Sequence, residues 1–238
     1  MTILAALALA SAAPADPLLL GLSAPEGEAP VCSSTFTVET EQNGETDRRA
    51  YRFDAATGQS EMIEGSPEAM AEDAERRADR EAERPTEDDG ADLEEEGEET
   101  VSFGMVSYER AIDTDGYAFA RVGEEDGLVV FRAAPPLPKG SFTASGRDMS
   151  KRAGATLWVE PGETPRLRRH AFALEREFRV PMIARVRTLR QVTTYEPVGG
   201  RMSPVRLTLT FDADVMGKSQ AGETRMRLSD VDCPGAAE

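Results

Sequence analysis

Histidine and tryptophan each occur once in the 238 residues (His170 and Trp158), cysteine occurs twice (Cys32 and Cys233), and aromatic residues make up only 6%. Each scarcity removes a class of chemistry. A histidine-dependent triad has to use His170, and no G-x-S-x-G elbow accompanies it. Zinc takes three or four ligands from His, Cys and carboxylate, which one histidine and two distant cysteines do not supply. Neither G-x-x-x-x-G-K-[ST] nor G-x-G-x-x-G is present, so the corresponding nucleotide loops are absent. No apolar run is long enough to cross a bilayer. Catalysis, a cofactor and a metal are therefore not expected, and His170, set in an alternating basic strand, is expected at the surface.

Positive charge is also short: 27 Lys and Arg face 44 Asp and Glu, for a net charge of −17. The imbalance is local. Residues 61–100 hold 18 of the acids and four arginines, and the rest of the chain is close to neutral. Repulsion from phosphate backbones argues against nucleic acid as a partner. The acids of that window miss the spacing of an EF-hand calcium loop. Residues 147–206 reverse the sign, with 13 basic residues against six acids. Either this is a positive surface that attracts anionic head groups or the molecule's own acidic stretch, or it is ordinary solvent-facing strand.

MTILAALALASAAPAD opens with a short apolar run followed by A-x-A sites, the pattern of a cleaved secretory signal over 1–15. No basic residue precedes the run, so either the free amine supplies the charge or the start lies upstream. Two cysteines suit an oxidising, periplasmic compartment. A Cys32–Cys233 bridge would close a loop of about 200 residues, on the order of 4–5 kcal/mol in chain entropy. Cys32 follows Ala29, Pro30 and Val31 rather than the small apolar triplet of a lipid-attachment site.

Residues 16–31 are Pro-rich and aperiodic, a flexible arm. STFTVETEQNGETDRRAYRFD gives two alternating runs around Asn43 and Gly44, a hairpin signal. SPEAMAEDAERRADREAE predicts a polar helix over 66–83 with almost no apolar stripe, and PTEDDGADLEEEGEET is a self-repelling stretch. Together 66–100 read as an acidic insertion in a single β domain spanning 32–233, with 234–238 as a tail. After residue 100 the chain is nearly all strand. GYAFARV and GLVVFRA flank Glu124, Glu125, Asp126 and Gly127, and further turns fall at Gly199 and Gly200 and at Met216 and Gly217. In VRLTLTFD the residues Val205, Leu207, Leu209 and Phe211 share one face, and in TRMRLSD Met226 and Leu228 oppose Arg225 and Arg227. Consecutive alternating strands with short turns predict an antiparallel meander with one dry face, which must curl or close to protect it. In ATLWVEPGETPRLRRHAF, Ala155, Leu157 and Val159 face one side while Thr156, Trp158 and Glu160 face the other. Trp158 either lines a cavity or pins the outer face.

GATLWVEPGETPRLRRHAF, VTTYEPVGGRMSPVRLTLTFD and TRMRLSDVD are together similar to the carboxy-terminal pattern of outer-membrane lipoprotein-sorting proteins, the LolA/LolB-like superfamily. Leu157, Trp158, Val159, Glu160, Pro165, Tyr195, Gly199, Gly200 and Pro204 stand at its strand and turn positions. AYRFDAATGQ followed by an acidic insert also resembles exported bacterial proteins of this type. The resemblance covers residues 100–232 and, more loosely, 34–65. It departs in lacking an evident amino-terminal helix and in the length of the acidic insert. It implies an incomplete β-barrel, a strongly curved antiparallel sheet with the helical insertion as a lid. The concave face would hold a lipid, an acyl chain or another amphipathic ligand, lined by Trp158, Leu157, Val205, Leu207, Leu209, Phe211, Met226 and Leu228. A regulatory or structural module of the same fold, contacting an envelope protein, is the alternative.

Overall fold

The computed structural model describes residues 16–24, 31–82, 105–144, 147–180 and 184–233. The expected leader, residues 83–100 of the acidic insertion and the tail lie outside them. Strands and helices follow in the order α1 (Pro17–Leu20), β1 (Ser33–Gln42), β2 (Glu45–Asp54), β3 (Gln59–Glu64), α2 (Pro67–Ala82), α3 (Tyr108–Ile112), β4 (Ala120–Glu125), β5 (Leu128–Ala133), β6 (Thr143–Ala144), β7 (Arg147–Asp148), β8 (Ala153–Glu160), β9 (Arg166–Leu174), β10 (Phe178–Val180), β11 (Ala184–Val198), β12 (Arg201–Val215) and β13 (Lys218–Asp232).

The expected mainly-β class is what the chain adopts: one large antiparallel sheet that does not close. Its order is β3-β2-β1-β13-β12-β11-β9-β8-β5-β4, with β10 added beside β11, and β6 and β7 form a separate two-stranded ladder. The hairpin signals act as the physics of twisted strands demands. Asn43 and Gly44, Asp126 and Gly127, Gly199 and Gly200, and Met216 and Gly217 all have positive φ, as two-residue turns matched to right-handed twist require.

One pairing is not between neighbours in sequence. β1 pairs with β13, the last strand, with Phe36 opposite Leu228 and Val38 opposite Met226. The Cys32–Cys233 disulfide sits at the end of this ladder, across a sequence separation of 201 residues. Gly222 permits the approach at its far end, because a Cβ there would come within 2.3 Å of the Glu41 carbonyl oxygen.

In the amino-terminal half the structure differs from expectation at two places and agrees at a third. The arm over 16–31 is not loose where it is described: Asp16 caps α1 and Leu19 is buried against Tyr108, Leu157 and Tyr195. The polar segment 59–64 forms β3, which the sequence did not reveal because only Met62 is buried in it. The helix expected over 66–83 forms as α2, packed against β3 at the sheet's edge through Ala69 and a hydrogen bond from the Met62 backbone N–H to Asp73.

The core lies mainly on one face of the sheet, under β5, β8 and β9. Phe131, Leu157, Val159 and Leu167 are fully buried there beneath α1, α3 and the segments around Val106 and Phe119. The Tyr195 hydroxyl donates to the Val106 carbonyl at 2.9 Å, and the Leu167 N–H donates to the Tyr108 hydroxyl at 3.2 Å. The two rings meet edge-on at 5.5 Å, and the pair ties α3 to β9 and β11.

Candidate functional site

Strand register assembles the candidate face. Residues directly opposed in adjacent strands share a face, so each row of partners can be followed across the sheet. One row runs Val38, Met226, Leu207, Thr193, His170, Leu157 and Phe131. The next runs Thr40, Thr224, Leu209, Gln191, Phe172, Ala155 and Ala133. Six of the eight residues expected to line a ligand site, Val205, Leu207, Leu209, Phe211, Met226 and Leu228, therefore gather on β12 and β13 on this face. Leu157 shares it but lies in the fully buried part.

Trp158 points the other way. Its ring packs with Val130 and Ala171 on the opposite face, and its indole N–H donates to Glu125 at 2.9 Å. Of the two placements left open for it, the outer face is the one realised.

Burial is lower at the β13 and β1 end of each row than at the β5 and β8 end. Phe131 and Leu157 are 0% exposed and Leu207 3%, whereas Leu209, Phe211, Met226, Leu228, Phe36 and Val38 are only half-buried. Under β5, β8 and β9 the face is covered by α1, α3 and loop residues such as Leu137 and Phe142. Across β11, β12, β13 and β1 the cover is less, and Thr193, Gln191, Thr224 and Thr40 interrupt the apolar side chains. Phe36, Val38 and Tyr51 belong to this surface too, and reasoning from single strands missed them. The two cysteines were the signal, since a bridge just before β1 and just after β13 implies that these strands are neighbours.

His170 contradicts its expected exposure. It is buried on the apolar face between Leu157 and Thr193, with its ring 4.4 Å from that of Phe172. Burial, with the Arg110 charge adding to it, pushes its pKa down to about 4, so the ring is neutral at pH 7. Neither its Nδ1 nor the Thr193 hydroxyl has a hydrogen-bond partner among the described residues. Among those residues no group of three or more His, Cys, Asp and Glu gathers as a metal site, and both cysteines are bridged. What the face offers chemically is apolar contact.

Five of the thirteen basic residues in 147–206, Arg168, Arg169, Arg179, Arg185 and Arg187, form ion pairs within the fold. Arg187 donates to Asp212 at 2.7 Å and to Asp214, which raises the Arg187 pKa and lowers that of Asp212. Arg185 and Arg179 likewise hold the Glu177 carboxyl below the usual range. Arg169 lies 3.7 Å from Glu125 and Asp126, and Arg168 lies 3.2 Å from Glu160.

No family model matches the chain, and no curated protein matches it. A solved structure of a DUF1329 family protein from Desulfovibrio piger is similar over 89% of this chain and 89% of that one, at 10% identity and a TM-score of 0.34. A likeness that loose carries no argument. No helix among the described residues is long and apolar enough to cross a membrane.

Proposed function

We propose that the protein is an exported, periplasmic binding protein that holds a lipid, an acyl chain or another amphipathic ligand against the sheet, without catalysis. The observation that carries this reading is the break in cover along one mainly apolar face. The rows filled under β8 and β9 continue as half-buried Leu209, Phe211, Met226, Leu228, Phe36 and Val38. Each CH₂ that an acyl chain moves out of water onto such a surface contributes about 0.8 kcal/mol. The disulfide suits an oxidising compartment. The resemblance of 100–232 to the LolA/LolB-like strand and turn pattern supports the same reading.

Native mass spectrometry of protein purified from an envelope extract tests it, together with displacement of a fluorescent fatty acid. Bound acyl species are expected, and Leu209→Asp is expected to abolish fatty-acid binding while the chain still unfolds cooperatively. Absence of both adducts and fatty-acid binding refutes the proposal. A second reading, a module of this fold that contacts an envelope protein, is favoured by the filled half of the face and by the exposed edge strand β4, where Val122 is 59% exposed.

A further inference from the structure

On the face opposite the apolar rows, β12 and β13 set Arg206 directly across from Arg227. Directly opposed residues in an antiparallel ladder have Cα atoms roughly 5 Å apart, and like charges at that spacing destabilise the pair. Both side chains are exposed, and neither has an ion pair or hydrogen bond with any described residue. The repulsion is therefore uncompensated, unlike that of the nearby Arg48 and Arg225.

Arg206 and Arg227 open onto a cavity of about 500 Å³ that is lined also by Thr37, Glu39, Arg48 and Arg225. The last two arginines are neutralised: Arg48 lies 3.4 Å from Glu64, and Arg225 lies 3.5 Å from Glu39 and also contacts Glu223. The surplus charge belongs to Arg206 and Arg227. Register extends their row by a hydroxyl on each side, giving Thr37, Arg227, Arg206 and Thr194 in consecutive strands with no carboxylate between them. Two guanidinium forks flanked by two hydroxyls form a strip of hydrogen-bond donors. A tetrahedral dianion matches it in charge and in number of acceptors.

We propose that this cavity binds a phosphate group, carried either by a soluble phosphate or by a phospholipid head group. The acidity of the chain does not forbid it, because screening limits the reach of distant charges to about 10 Å at 0.1 M salt. The site stands apart from the ligand face proposed above, on the other side of the sheet, and does not depend on it.

Titration calorimetry of the full chain with pyrophosphate at about 0.1 M salt tests the proposal. Saturable binding is expected, weakened about tenfold by Arg206→Gln and by Arg227→Gln, while Arg121→Gln on the distant edge strand β4 changes it little. Removing one of two opposed like charges should preserve or raise the unfolding temperature in phosphate-free buffer, so lost binding would not be lost folding. Sedimentation with vesicles containing phosphatidic acid, whose phosphomonoester presents the doubly charged head group, then separates the sources. Vesicle binding that pyrophosphate competes away assigns the head group, and pyrophosphate binding without vesicle binding assigns a soluble phosphate. No saturable binding, or binding unchanged in the Arg206→Gln/Arg227→Gln double variant, overturns the proposal.

Discussion

Replacing His170 by leucine should remove a pH dependence of stability whose size follows from where the ring sits. The imidazole is enclosed by Leu157, Thr193 and Phe172, with its Nδ1 unpartnered, and burial holds its pKa near 4 against 6.5 for an unperturbed ring. Above pH 6.5 the ring is neutral in both folded and unfolded chains and contributes no pH dependence. As pH falls below 6.5 the unfolded chain takes up a proton that the folded chain refuses, so stability drops until about pH 4, where the folded ring also protonates. A depression from 6.5 to about 4 corresponds to a loss of about 3 kcal/mol across that window, a large share of the ordinary stability of a domain. Carboxylates titrate in the same range, so the informative quantity is the difference between wild type and His170→Leu in urea unfolding at each pH. That difference should change by about 3 kcal/mol between pH 7.5 and pH 4, with wild type losing more. At pH 7.5 the variant should be no less stable than wild type by more than about 1 kcal/mol, since it removes a buried polar atom without a partner. His170 is the only histidine, so its ring resonances can be followed by NMR without assignment ambiguity. A stability difference flat across the window, or an NMR pKa near 6.5, would refute the buried placement.

Two further perturbations probe the pairing of the first strand with the last. Reduction of the Cys32–Cys233 bridge, or the Cys32→Ser/Cys233→Ser double variant, should lower stability by about 4 kcal/mol in urea unfolding, because the bridge closes a loop of 201 residues; an unchanged midpoint would show that the ladder alone holds β1 to β13. Gly222→Ala should cost about 2 kcal/mol or more in thermal unfolding, since the added Cβ meets the Glu41 carbonyl oxygen at 2.3 Å, and a neutral result would mean that β1 does not approach that closely.

The hairpins were legible because turn chemistry is local. Asn43 with Gly44 and Met216 with Gly217 announce themselves between alternating runs, and the runs supply the strands. His170 was not legible, and the reason is a single residue. Pairing of β8 with β9 shifts register between Trp158 and Val159, so that Trp158 faces Arg169 while Val159 faces Leu167. Arg168 is the extra residue, and Leu167 and His170, three apart, both turn to the dry face. A strict two-residue period through RLRRHAF cannot place them together, and the flanking arginines made the strand look wet.

Which strands are packed on both faces was legible in principle, from a contrast between strands. AGATLWVE in β8 is apolar at nearly every position, and both its faces are buried: Leu157 is 0% exposed on one side and Trp158 7% on the other. VRLTLTFD in β12 alternates strictly, and its arginine and threonines face the opposite, wetter side. A strand that dispenses with alternation is packed on two sides, and one that keeps it has to answer to solvent on at least one. The covering groups themselves, Leu19, Tyr108 and Phe142, come from short segments remote in sequence, where no period marks them as lids. Alternation thus reports how many sides of a strand are packed: its loss in β8 marks a strand buried on both faces, and its persistence in β12 marks one with solvent on its Arg206 and Thr208 side.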